Sequence, residues 1–169
     1  MSNANLLPKE IPACAVRLLA RPEWFADPGI VQRTKLAKAR GLARRLSSPR
    51  FAGTEIAAIA LGHTIYFRQM EAYNPHAPRG LALLAHEIKH IEQVERYGLV
   101  SFYWRYWLDY RRQGYGEALP FETEAYQFER LVRAQLKNEF ALNAGRTPCL
   151  EMAAPHSPNP AFSLTRFQV

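Results

Sequence analysis

The sequence predicts an α+β fold, mainly helical, with a short β-hairpin or small sheet preceding a long helix that carries the chemistry. Three observations predict it. From Leu81 to about Leu142 apolar residues recur at helical intervals, broken only at glycines. Glu55–Arg68 (EIAAIALGHTIYFR) alternates instead, with Gly62-His63 placed for a tight turn. The chain has 169 residues and is 48% hydrophobic, which suits one domain with a real core.

Taken in order, residues 1–26 contain Pro8, Pro12 and Pro22 and support at most a short helix around Ala15–Ala20. Asp27-Pro28 has the form of a cap followed by proline at the first helical position. Leu36, Ala39, Ala43 and Leu46 then keep helical spacing, so one amphipathic, basic helix is expected over about 28–46, stopped by Ser47-Ser48-Pro49. In the alternating segment Ile59, Leu61, Ile65 and Phe67 are expected to share one face. Tyr73–Gly80, with Asn74-Pro75 and Pro78, is a loop. Three helices follow: Leu81–Tyr97, ended by Gly98; about Val100–Arg112, rich in aromatics; and one from Leu119-Pro120 to about Leu142. The expected organisation is a single domain over 1–145, its core at about 55–142. Pro148, Pro155, Pro158 and Pro160 make 146–169 an extended or disordered tail.

Charge and composition narrow the function. No apolar run approaches a membrane span, and the first residues lack the form of a secretory signal. The cytoplasm is the default compartment, with export by a route that reads no such signal left open. The formal charge is +7, and no acidic residue lies between Asp27 and Glu55, where Arg33, Lys35, Lys38, Arg40, Arg44, Arg45 and Arg50 fall. A solvated helix face is preferred for this run over a nucleic-acid, lipid or acidic-protein partner. Cys14 and Cys149 sit in no CxxC and are read as plain thiols, with a disulfide between them left open.

The informative segment is Ala85-His86-Glu87-Ile88-Lys89-His90. On a helix, side chains four apart stand on one face, so His86 and His90 can aim both imidazoles at one ion. Glu87 follows the first ligand by one position and can reach a water there without being a ligand. This is the HExxH spacing. His86, His90, Gln93 and Tyr97 form one stripe of that helix, while Leu84, Ile88 and Ile91 face a packed side.

A third ligand must come from elsewhere, because the next positions that could supply one are Gln93 and Arg96. His63, His76 and His156 read as surface residues. The acids of Pro120-Phe121-Glu122-Thr123-Glu124-Ala125-Tyr126 are better candidates. Glu122 in a first helical turn is explained by the helix dipole. Glu124 is expected on the side of Phe128 and Leu131, where an unpaired carboxylate is costly. Glu124 is therefore the expected third ligand, with Glu122 as the alternative.

The segments AIALGHTIYF, LALLAHEIKHIEQ and LPFETEAY resemble the small metallopeptidase-like domains of bacterial toxin-associated and contractile-injection-associated proteins. These are similar to reduced gluzincins, zincin-like zinc peptidases whose third ligand is a glutamate on a later helix. The resemblance covers about Ile56 to Gln135. It implies one zinc ion held by His86, His90 and Glu124, since the ligand glutamate commonly precedes an alanine, and Glu87 as general base. It also implies that the strand Thr64-Ile65-Tyr66-Phe67 borders the cleft and pairs with a peptide substrate. The chain is too short for the further subdomain that supplies an oxyanion partner in larger relatives. Tyr97, Tyr115 and Tyr126 remain open for that role, and Tyr126 completes the expected substrate-contacting set.

The expected function is zinc-dependent hydrolysis of peptide bonds. The alternatives are a catalytically silent, metal-stabilised binding or accessory module, and a protease acting on nucleic-acid-bound proteins. The run Phe102–Tyr110 is expected as a packing helix rather than a base-stacking surface, and Asp109 is a possible orienting partner for a ligand histidine.

Overall fold

The computed structural model describes residues 9–48, 56–69, 73–74, 76–114 and 116–142. The proline-rich tail, Cys149, His156, Tyr115 and Arg50 lie outside the described residues. The chain runs β1 (Lys9–Glu10), α1 (Ala13–Leu19), α2 (Gly29–Arg33), β2 (Lys35–Lys38), α3 (Gly41–Leu46), β3 (Ala58–Leu61) and β4 (Thr64–Phe67). Three longer helices follow: α4 (Pro78–Tyr97), α5 (Leu99–Gln113) and α6 (Pro120–Leu142). The α+β expectation holds. No helix among the described residues is long and apolar enough to cross a membrane.

The four strands form one sheet in the order β1-β2-β4-β3. β2 runs parallel to β4, from Lys35↔Thr64 to Lys38↔Phe67, and the other two pairings are antiparallel. The expected hairpin is present. Gly62 adopts φ +58, which a glycine reaches without strain, and Leu61 pairs with Thr64 across the two-residue turn. That turn length sets the faces. Ala58 and Ala60 stand opposite Phe67 and Ile65, while Ile59 and Leu61 stand opposite Tyr66 and Thr64. Ile59 and Leu61 therefore do not share a face with Ile65 and Phe67 as expected, because cross-strand partners, not residues four apart around a turn, point to the same side.

The basic helix expected over 28–46 is a correction of larger kind: it is α2, then β2, then α3. The apolar spacing is compatible with a helix, but β4 offers Lys35–Lys38 a ladder of backbone hydrogen bonds that a local pattern cannot register. Thr34 closes α2 through its backbone N–H and its hydroxyl, both donating to the Ile30 carbonyl. Gly41 at φ +50 lets the chain turn from the strand into α3. Lys35, Lys38, Arg40, Arg44 and Arg45 are exposed, as a solvated face requires.

α4 is the central helix. Leu81, Ala82, Leu84, Ala85 and Ile88 are fully buried, and its most extensive packing is against α6. Pro78 occupies its first turn, where a missing N–H costs nothing. Gly98 at φ 78 ends it and starts α5. The far end of α6 is tied to the loop after α1. Arg21 Nη1 and Nη2 donate to the two oxygens of Glu139 at 2.7 Å each, and Trp24 Nε1 donates to Gln135 Oε1 at 2.7 Å. Cys14, in α1, is disulfide-bonded, which corrects the reading of it as a plain thiol.

Candidate metal centre

The i, i+4 spacing on α4 brings the rings of His86 and His90 to 4.9 Å between centroids. The carboxylate of Glu122, in the first turn of α6, reaches both. Its Oε2 lies 3.5 Å from His86 Nε2 and its Oε1 lies 3.5 Å from His90 Nε2. Tetrahedral zinc with bonds near 2.0–2.1 Å separates its donors by ~3.3 Å, so the spacing suits a shared ion better than direct hydrogen bonds. His86 and Glu122 are 4% and 3% exposed, so neither is well solvated by bulk water. Glu122 Oε2 is buried without a hydrogen-bond partner, a costly arrangement that a cation relieves. His86, His90 and Glu122 thus make a group that can hold a metal ion.

Glu122, not Glu124, is the residue brought to the histidines. Along α6 the buried stripe runs Glu122, Ala125, Val132, Leu136, and two residues on a helix are about 200° apart, so Glu124 points elsewhere. It accepts a hydrogen bond from Gln93 Nε2 at 3.0 Å and faces Arg96 at 3.3 Å and Lys89 at 3.5 Å. The apparent cost of an acid there vanishes because three side chains of α4 satisfy it.

The surrounding groups orient the donors. His90 Nδ1 lies 2.9 Å from Gln93 Oε1, and as an N–H donor there it leaves Nε2 aimed at Glu122. Gln93 is fully buried and fixed in turn by its amide donating to the Phe121 carbonyl at 3.0 Å. His86 Nδ1 lies 3.2 Å from Glu129 Oε2, off the line of a hydrogen bond. Tyr106 Oη donates to Glu122 Oε1 at 2.8 Å. Glu129 and Tyr106 escaped the sequence reading. The signal for Glu129 was its position two turns beyond Glu122, on the same side of one helix.

Charge follows from this packing. Burial disfavours protonated His86, but Glu122, Glu129 and Glu87 outweigh it and raise the imidazole to about 10. Burial likewise opposes ionised Glu122, yet its contacts with His86 and His90 hold it well below the usual carboxylate range. Glu87 is 4% exposed, and burial raises it against the pull of both histidines. A carboxylate made basic beside two imidazoles that can hold a metal is suited to accepting a proton.

The triad forms the floor of a cleft of about 410 Å³ whose walls are β3, Ile56, Leu46 of α3 and the aromatic face of α5, with Glu87 on its lining. Thr64–Phe67 does not border this cleft. β4 lies between β2 and β3 in the sheet, and Ile65 and Phe67 are fully buried. The edge strand on the cleft side is β3, the other edge being β1. Tyr126 packs edge-on against the His86 ring at 4.6 Å rather than lining the cleft. Tyr97 lies against Phe121, and Asp109 lines a separate hollow with Arg105 and Arg112. His63 pairs with Glu95 at 2.8 Å, and His76 is exposed. The run Phe102–Tyr110 is less of a packing surface than expected: on α5 only Phe102 is buried, Trp104 and Trp107 are exposed, and Phe102, Tyr103, Tyr106, Trp107 and Tyr110 wall the cleft.

Residues 47–98 match the eCIS core domain. The name refers to the extracellular contractile injection system, so the contractile-injection likeness has independent support over this span. The matched span is under a third of the chain. It holds the hairpin and all of HExxH, and ends before α5 and α6. No curated protein and no solved structure matches the chain.

Proposed function

We propose that this chain is a zinc-dependent peptide hydrolase with a minimal, gluzincin-like, zincin-type site. The observation that carries this reading is the convergence of His86, His90 and Glu122 on one point at the cleft floor, with Glu87 beside them. Two imidazoles and a carboxylate are a donor set that suits zinc and leave a position free for water or substrate. A zinc ion there would supply Lewis acidity, polarising a carbonyl and acidifying water. Glu87 takes the proton from the attacking water and returns it to the leaving amine. Gln93 keeps the His90 imidazole in orientation, and Glu129 places a negative charge 3.2 Å from His86 Nδ1. Tyr106, on the cleft wall, donates its hydroxyl to the Glu122 carboxylate and so steadies that acid. Glu122 takes the ligand role expected for Glu124.

A metal held only for structure would also join α4 to α6, and it is the competing reading. The position of Glu87 favours hydrolysis, because a structural site has no use for a buried carboxylate of raised basicity on a cleft wall. The test is metal content and cleavage of a broad peptide library by three proteins. Wild type should bind one zinc and cleave. Glu87→Gln should keep the zinc and lose at least about 10²-fold in rate. His86→Ala should lose both. Cleavage undiminished in Glu87→Gln would remove the hydrolytic reading.

A further inference from the structure

We propose that the cleft selects polypeptide segments by one large apolar or aromatic side chain, seated between β3 and α5 with Trp107 as the deciding wall. The proposal depends on the hydrolase reading for any chemistry after binding, but not for the binding itself. The lining is overwhelmingly apolar away from the triad, and about 410 Å³ falls within the range of small-ligand cavities, about 300–1,000 Å³. Among the described residues no lysine, arginine or aspartate lines it, and its carboxylates, Glu87 and Glu122, stand with the histidines, so a charged side chain seated against the apolar wall of β3 and α5 would shed water without a counter-ion beside it.

The strand edge is partly engaged already. In the β3–β4 pairing Leu61 and Thr64 flank the turn, which directs the backbone groups of Ala60 away from β4 and toward the cleft. Tyr103 Oη donates to the Ala60 carbonyl at 3.2 Å. A bound segment therefore finds fewer free main-chain partners on this edge than an open strand offers, and side-chain burial must supply more of the discrimination.

Trp107 is built to supply it. It is 44% exposed, stacked on Trp104 at 5.1 Å between centroids, and covered by the Arg111 guanidinium at 5.2 Å. These contacts, each with a side chain one turn away on α5, exist before anything binds and limit the freedom the ring has to lose. Tryptophan is among the residues enriched as binding anchors, and this one has exposed surface left to bury on the cavity lining.

The experiment uses the zinc-loaded full chain carrying Glu87→Gln and blocked peptides Ala-Ala-Xaa-Ala-Ala with Xaa Phe, Leu, Ala, Asp or Lys. Binding is followed by calorimetry. Phe and Leu peptides should bind at least about tenfold more tightly than the others, as one filled apolar pocket permits. Adding Trp107→Ala should erase that preference with zinc content unchanged, and Trp107→Phe should restore most of it. Equal affinities, preference for Asp or Lys, no saturable binding, or a preference that survives Trp107→Ala would each overturn the inference. The two readings separate cleanly. Selective binding with no cleavage by wild type sinks hydrolysis and supports selection, while indiscriminate cleavage does the reverse.

Discussion

Exchanging Glu122 for glutamine should cost zinc affinity by more than the 10–100-fold that outer partners of metal ligands are commonly worth. Glu124→Gln should leave near-full stoichiometry, and Gln93→Ala and Glu129→Gln should fall between. Titration against a chromophoric chelator orders the four variants, and full loss in Glu124→Gln with none in Glu122→Gln would reverse the assignment. The same pair of acids marks how far the site was legible. His86, Glu87 and His90 were readable because four residues on one helix fix their relation locally. The choice between Glu122 and Glu124 depends on how α6 is rotated against α4, and that rotation is decided by packing between distant segments. Tyr106 was hidden for the same reason, since its hydroxyl matters only once α5 is laid beside Glu122.

At the level of elements, α4 begins under a constraint that helix propensity would misjudge. Alanine normally outdoes glycine in a helix by ~0.8–1.0 kcal/mol. At Gly80 the added Cβ would run into the backbone of Asn74, its carbonyl oxygen first. Gly80→Ala should therefore destabilise by about 1–3 kcal/mol, lowering Tm by ~2–4 °C per kcal/mol in a chain of this size. A thermal scan showing a higher Tm would mean the loop before α4 yields freely. The elements themselves divide by range. The hairpin and the three long helices were legible because turn glycines and apolar period are local. β2 was not, since its partner β4 lies far along the chain and its own residues also fit a helical spacing.

For the whole molecule, the group that can hold a metal spans α4 and α6, the two helices that pack most extensively on each other. An ion that binds only the folded chain stabilises it by ~2.7 kcal/mol at one hundred times Kd. Removing it with a chelator should then lower Tm by roughly 5–10 °C, and returning zinc should restore it. An unchanged Tm with zinc demonstrably gone would show that the apo helices hold their positions unaided.

α6 is gripped at both extremities: Glu122 in its opening turn faces the histidines, and Glu139 near its close is held by the paired nitrogens of Arg21. A rod fixed at two points has one permitted rotational phase. Each inserted or deleted residue between them would twist one end by about 100° relative to the other, swinging either the ligand or the anchor out of reach. Side chains along the outer face can change freely, but the number of residues separating the two grips cannot.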